Sequence, residues 1–573
     1  MKLKKYFILS LLALTTAGFM SSCSDDENLG EAPRLFRPIA SLEVSRNTII
    51  TTWDNIKDAT SYDLELYKVT GTDDEGENIY ELVKSATCEE SPYTWSDLNW
   101  DEKYMVKIKG YNSSKASDVY TTSDVSVNYI SNLSEIKLID NAARLTWSTD
   151  GDIIKHITAV AENGEKLEFN VKESEFQQGF KDVYGLNPET KYTFYTYKSD
   201  EEFNNDTYAG KLTGTTKAST NFDESYGTGM WLDIRDYEPS EAKDTLKSED
   251  FWAQVKDGMT IILRGEQEYK VNNTVKFDRS VTFVTGPTLG GNAIFLSSGG
   301  MTCTANAVID KIKFESIDFI SDKAYNGDNA IATNTDKAFG GRQVLNNNGT
   351  KSTIKELIFK NCKIEGYRAV VRAQNSNDAI NKIMFNGCTI NGVGDQGVVT
   401  TTNSAADWQD ITFDDCTITN IVMLCDLRET KSAPTFTVKN CTFCYAPIET
   451  TANANTPLFR FGENPVKLEV QNSLFGPSMA TDGSAGSKVH AYQAGTAGSI
   501  LLNGASASVN VLQSFKTNFT YTEVGTNPKQ YPIEGLNELS LDESKLWKDP
   551  TNGDFTIIGN IGVSGVGASK WAN

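Results

Sequence analysis

The sequence predicts an all-β chain in which two antiparallel sandwiches precede a coil of parallel strands that opens with a short capping helix. Three observations carry this expectation. Residues 32–216 alternate apolar and polar positions in short runs broken by turn residues, an amphipathic helical stretch begins at Glu249, and one apolar template then recurs six times.

The chain begins Met1-Lys2-Leu3-Lys4-Lys5, followed by an apolar run from Tyr6 to Leu14 and small residues up to Ser21-Ser22-Cys23. A basic start, a short apolar stretch and a cleavage zone make residues 1–22 a targeting signal, to be left out of the fold. The run is too short to be a permanent membrane span. A cysteine at this place resembles the bacterial lipoprotein box, which implies lipid attachment at Cys23. In the acidic linker 23–31, Ser24-Asp25-Asp26-Glu27 resembles the export signal of Bacteroidetes surface lipoproteins, implying the outer face of the outer membrane.

Acidic residues outnumber basic ones 76 to 54, giving a formal net charge of −22. Nucleic acid is therefore excluded as a partner, because its affinity comes from phosphate neutralisation by Lys and Arg. The histidines are His156 and His490, and no Cys-x-x-Cys or His-Glu-x-x-His spacing occurs, which argues against zinc hydrolysis and Ser-His or Cys-His catalysis.

Between residues 32 and 130 the runs Leu42-x-Val44, Tyr62-x-Leu64-x-Leu66 and Tyr104-x-Val106-x-Ile108 have the period of half-buried antiparallel strands. Core Trp53, Leu98 six residues before Tyr104, and Gly110-Tyr111-Asn112 resemble a fibronectin type III domain. A second such domain covers 131–216, with Leu145-x-Trp147 and with Leu186 again six residues before a tyrosine, Tyr192. These aromatics read as core anchors.

Residues 217–248 are polar and read as a junction. From 249 to 573 the grammar changes. Glu249-Asp250-Phe251-Trp252-Ala253-Gln254-Val255 is an amphipathic helix ended at Asp257-Gly258, and Ile261-Ile262-Leu263 and Val281-x-Phe283 follow as strands. Helix, Asp-Gly, strand, Gly265 and Tyr269 in this order resemble the opening of pectin-lyase-like right-handed β-helices.

The template itself appears as Ile312-Phe314-Ile317-Phe319, Leu357-Phe359-Cys362-Ile364, Ile383-Phe385-Cys388-Ile390, Ile411-Phe413-Cys416-Ile418, Phe436-Val438-Cys441-Phe443 and Leu468-Val470-Ser473-Phe475. No unit can bury its apolar face alone, so neighbours must stack. Cysteines 26, 28 and 25 residues apart then form an internal ladder of small buried groups, rather than disulfides or a metal site. Two insertions, about 321–352 and 476–507, are expected to bulge as loops, and Leu546 to Ile557 with Trp571 reads as a closing segment. Together these features resemble Bacteroidetes β-helix proteins found beside pectin-utilisation genes.

After each template a further strand follows, and its outward positions suggest a file of Arg342, Arg372, Arg428 and Arg460 interrupted by Thr400. Guanidinium forks suit carboxylates, and a uronic-acid polymer repeats its carboxylates at a pitch comparable to stacked strands. The competing expectation is that Asp378, Asp426, Glu429 and Glu463 pair with these arginines on a solvated face. Tyr367, Trp408 and Tyr445 are expected at turns, where they would stack on sugar rings.

The expected function is a cell-surface glycan-binding lipoprotein, anchored in the outer membrane, holding an acidic, pectin-like polysaccharide. A neighbouring porter and surface enzymes would be its partners, and no cofactor is expected. The alternative is a polysaccharide lyase, for which the fold resemblance implies an arginine base, Arg372 or Arg428, with Asp426 and bound calcium. Few acids accompany those arginines. Of the polygalacturonase pattern, Asn334-Thr335-Asp336 and Asp414-Asp415 occur and Gly-His-Gly does not. A third reading is an adhesin or structural surface protein.

Overall fold

The computed structural model describes residues 34–323, 341–347, 349–373, 377–401, 406–428, 430–448, 457–462, 464–479, 488–489, 492–494, 507–521, 530–531 and 533–572. Cys23 and the leader lie outside them, as does His490.

In the first sandwich, Ala40–Ser45, Thr48–Trp53 and Tyr93–Trp95 form one sheet. The facing sheet runs Asn78–Cys88, Ser61–Thr72, Glu102–Tyr111, with Tyr120–Thr121 and Val125–Val127 on its far edge. Alternate residues turn inward, so that Trp53, Tyr62, Leu64, Leu66, Tyr104, Val106 and Ile108 fill the core. The second sandwich repeats this order. Leu133–Leu138, Ala142–Trp147 and Phe180–Tyr184 face Lys166–Asn170, His156–Ala161, Lys191–Tyr197 and Tyr208–Thr215. This is the fibronectin type III-like arrangement. The repeated Leu-to-Tyr spacing has a physical basis in both copies, where the tyrosine hydroxyl accepts a backbone N–H, from Asn99 to Tyr104 at 3.1 Å and from Asn187 to Tyr192 at 2.9 Å.

The segment 217–248, expected as a junction, builds the first rung of the solenoid. Trp231–Asp233 pairs in parallel with Met259–Leu263, and short helices Phe222–Tyr226 and Pro239–Thr245 flank it. A three-residue strand carries too little periodicity to be read in advance. Arg235, 4% exposed, locks this rung to the second sandwich by donating to Asp140 at 2.9 Å and to Asp233 at 2.9 Å. Helix Glu249–Gln254 covers the open end, where Trp252 meets Phe277 and Phe283 edge-on. The helix stops at Gln254, and Gly258 serves the turn into the first long strand with φ +78°.

From there the chain is a parallel β-solenoid. A ten-stranded sheet runs from Trp231–Asp233 to Ser508–Leu512 and a second sheet stacks alongside it. All six templates fall into register: Ile312, Leu357, Ile383, Ile411, Phe436 and Leu468 share one row. Phe314, Phe359, Phe385 and Phe413 share another, with ring centroids 5.3, 4.8 and 4.6 Å apart in succession. Between the two sheets the chain turns at one left-handed residue per coil, Asn361, Asp415, Asn440 and Asn472 among them. Asn and Asp tolerate that conformation at small cost, and Gly387 fills the one coil where a Cβ would meet Asn361 Oδ1 at 2.3 Å.

The residue after each turn is the ladder cysteine. Cys362, Cys388, Cys416 and Cys441 are buried free thiols, and each donates to the carbonyl of the phenylalanine or isostere stacked one coil earlier: Phe314, Phe359, Phe385 and Phe413, at 3.3–3.5 Å. Ser473 and Ser514 continue the column by accepting N–H bonds at 3.1 Å. Burial shields them from solvent and yields a test. With Cys23 replaced by serine, a thiol reagent should label Cys88, the part-exposed one among the described cysteines, while the others wait for denaturant. Burial, and then Asp63, raise the Cys88 thiol above its ordinary value, so labelling should accelerate as pH rises past that value. Mass spectrometry of the labelled peptides checks both.

Two expectations are corrected. The insertions are not simple bulges, since Gln343–Asn347 and Tyr492–Ala494 supply strands to a third face. The closing segment does not plug the solenoid's end. Trp547–Asp549 pairs antiparallel with Asp554–Ile557, and Trp547, fully buried, packs with Leu474, Tyr445 and Val422 on the solenoid's flank. Residues 567–571 then run back across the rungs: Gly567 N donates to Asn472 O, Ala568 N to Thr442, Ser569 to Asp415, Trp571 Nε1 to Thr417, and Lys570 Nζ to Thr389.

Candidate functional site

The third face is made by Gln343–Asn347, the second halves of Lys363–Ala373 and Thr389–Thr400, then Cys425–Asp426, Phe459–Gly462 and Tyr492–Ala494. Leu345, Val371, Val399, Cys425 and Phe459 point into the core as one row. Period two then sends their successors outward, and the outward row reads Asn346, Arg372, Thr400, Asp426 and Arg460.

Of the expected file, Arg372 and Arg460 occupy this row, three rungs or about 14 Å apart. Arg428 does not. It stands two residues beyond Asp426, beside the row, and turns back to grip that carboxylate with Nε and Nη2, both at 2.8 Å. Arg342 belongs to a different row, where its carbonyl accepts the Arg368 N–H at 2.8 Å, at the corner between the second and third faces. Its guanidinium forks onto Asp322 at 2.8 and 3.0 Å, and Arg368 forks onto Asp395 at 2.8 and 3.2 Å. The single file of four is therefore a row and a corner, because Gln343 pairs with Ala369 and Arg342 consequently stands beside Arg368 rather than Arg372.

Asp426, with 3% of its side chain exposed, lies between two guanidinium groups, since Arg460 Nη1 is 3.7 Å from the Oδ2 that Arg428 also holds. Arg460 Nε is buried with no hydrogen-bond partner among the described residues, and so is Asn346 Oδ1 in the same row. Burial lowers the pKa of Arg460, with Asp426 opposing and Arg428 adding to the shift. Burial and then the Arg368 charge lower that of Arg372, against Asp395. Both arginines thus carry their charge in surroundings that favour an added anion.

The aromatic expectations are corrected. Tyr367 and Trp408 are fully buried and present no ring to a sugar. Tyr367 shares a hydrogen bond with Ser297 at 2.7 Å, and burial pushes its phenol far above the ordinary value. Trp408 continues the inward row Ile309, Ile354, Ile380. Tyr445, 5% exposed, packs under the flank segment. Asp378 holds the turn at 349–352, accepting from Gly349 N, Thr350 Oγ1 and Ser352 N at 2.9–3.3 Å, and is no arginine partner. Asp414 and Asp415 serve the coil turn, where Asn440 Nδ2 and Ser569 donate to them. Glu429, Glu463 and Asn334-Thr335-Asp336 lie outside the described residues. Among the described residues no group of three or more His, Cys, Asp or Glu is placed to hold a metal ion.

Arg368, Asp322 and Asn346 were not singled out in the sequence. Arg368 sits at the register shift, and Asp322 and Asn346 lie within the first insertion, where the coil period is interrupted.

No family model matches the chain, and no curated protein matches it either. Among solved structures, a two-fibronectin type III segment of chicken tenascin is similar at 13% identity over 31% of this chain and 97% of that one, with a TM-score of 0.14. The FN1–FN3 domains of chicken CNTN1 are similar at 16% identity over 32% of this chain and 66% of that one, also with a TM-score of 0.14.

Proposed function

We propose that the third solenoid face binds an acidic, uronate-rich polysaccharide of the pectin type. The carrying observation is the row of Arg372 and Arg460 in register, with Asp426 and Arg428 beside them and unspent polar atoms on Arg460 and Asn346. A stretched polyanion lying across the rungs would accept from both guanidinium groups at once. The leader and Cys23 support a lipid-anchored protein on the outer face of an outer membrane, and the acidic linker supports export there. Among the described residues no helix is long and apolar enough to cross a membrane. The two sandwiches would lift the face outward, toward a porter and surface enzymes of a polysaccharide-utilisation system.

A second reading, a polysaccharide lyase, is favoured by one feature. Burial lowers the pKa of Arg372, near Arg368 and Asp395, and of Arg460, near Asp426, a direction that suits a guanidinium base.

Affinity electrophoresis through polygalacturonate separates these readings. The mature protein should be retarded, with retention weakening as salt rises. Arg372→Ala with Arg460→Ala should lose it, by about a hundredfold in affinity if each removes a charge-assisted contact. Absorbance from unsaturated product, lost with chelator, would move the assignment to the lyase. No retardation by any acidic glycan would overturn the reading in favour of an adhesin.

A further inference from the structure

A second site lies far from that face, where the two sandwiches meet. Trp100 of the first domain donates its indole N–H to Asn205 O of the second at 3.0 Å, and Tyr208 donates to Asp101 at 2.5 Å. These bonds hold open a pocket of about 400 Å³ lined by Asn99, Trp100, Tyr195, Tyr197, Phe203 and Asn205, with Glu102 at its wall. That volume lies at the small end of ordinary small-molecule sites.

The lining combines two chemistries. Aromatic rings form a connected set: Trp100 meets Tyr129 edge-on at 5.2 Å, Tyr129 meets Tyr208 at 5.3 Å, and Tyr197 lies 5.1 Å from Phe203. Phe203 stacks on the buried His156 at 4.1 Å yet remains 43% exposed, so the loop that carries it keeps a large apolar ring in water. Around the rings stand polar groups left unspent. No hydrogen bond among the described residues uses the hydroxyls of Tyr195 and Tyr197 or the side-chain amides of Asn99 and Asn205. Phenols and amides both donate and accept. The ionised side chains are committed or negative: Lys211 reaches Asp101 O at 3.2 Å, and Glu102 lies 3.8 Å from Lys211.

We infer that this pocket binds a neutral pyranose unit, presented as the end or a branch of a glycan. A pyranose has an apolar C–H face to lie on Phe203 or Tyr197 and a rim of hydroxyls that need both donors and acceptors. A purely apolar ligand would leave the amides and phenols unsatisfied, and an anion would meet Glu102. The site is independent of the arginine row in place and in ligand charge.

Calorimetric titration of the full mature chain with cello-, xylo-, manno- and galacto-oligosaccharides tests this. One of them should give saturable heat at one site per chain. Phe203→Ala, an exposed loop change, should weaken it by about tenfold or more. Tyr195→Phe and Tyr197→Phe keep the rings and remove only hydroxyls, so each should weaken it by a smaller factor, while Arg372→Ala with Arg460→Ala should leave it unchanged. Absence of saturable heat with all four, indifference to Phe203→Ala and both Tyr→Phe changes, or loss in the arginine variant would each overturn the inference.

Discussion

Replacing Phe385 by alanine is expected to destabilise the solenoid by about 3–5 kcal/mol, seen as a lowered urea midpoint for its unfolding. The ring is fully buried and stacks near-parallel on Phe359 and Phe413, at 5° and 7°. Its strand is paired on both sides over seven residues each, so the coil cannot close on the space left behind. Phe385→Leu keeps most of the volume and should cost less, about 1.5 kcal/mol. An alanine cost below about 1 kcal/mol would mean that the coils slide or compress, contrary to a close-packed column.

Asp426→Ala is the second large effect expected, at about 2 kcal/mol, because it leaves half-buried Arg460 and more exposed Arg428 facing each other without their shared carboxylate. The cost belongs to the abandoned charges rather than to the lost bonds. Adding Arg428→Met and Arg460→Met to the same chain should therefore recover most of it, as uncharged replacements of buried ion groups often do. Thermal unfolding of the single and triple variants measures this. A single variant within about 0.5 kcal/mol of the parent would show that water reaches Asp426 freely.

The solenoid was legible because its signal is repeated. Phe314, Phe359, Phe385 and Phe413 each announce the same inward position, and the cysteine after each turn fixes the phase. The sandwiches were legible through Tyr104 and Tyr192, each six residues after a core leucine, whose hydroxyls accept the N–H of the residue that follows that leucine. The third face was harder, since its strands are short and follow a bulge. Alternation puts Arg372 and Arg460 in one row, but the pairing of Gln343 with Ala369 sets Arg342 beside Arg368, at the corner. Tyr367 and Trp408 were misplaced for a related reason. An aromatic near a turn reads the same whether it covers the turn or points beneath it, and only the register with Ile380 shows that Trp408 points beneath. The pocket between the sandwiches joins residues about a hundred positions apart, from Asn99 to Tyr208, and no local pattern connects them.

Solenoids tend to come apart one repeat at a time, since each rung touches only its neighbours. The segment 567–571 breaks that rule here, because five consecutive residues are bonded to coils that begin as far apart as Thr389 and Asn472. Fraying of any one of those coils must first release a clasp shared with the others. Their unfolding is thereby merged into a single cooperative event, and the stretch most protected from unravelling is the one whose neighbouring face carries Thr400, Asp426 and Arg460.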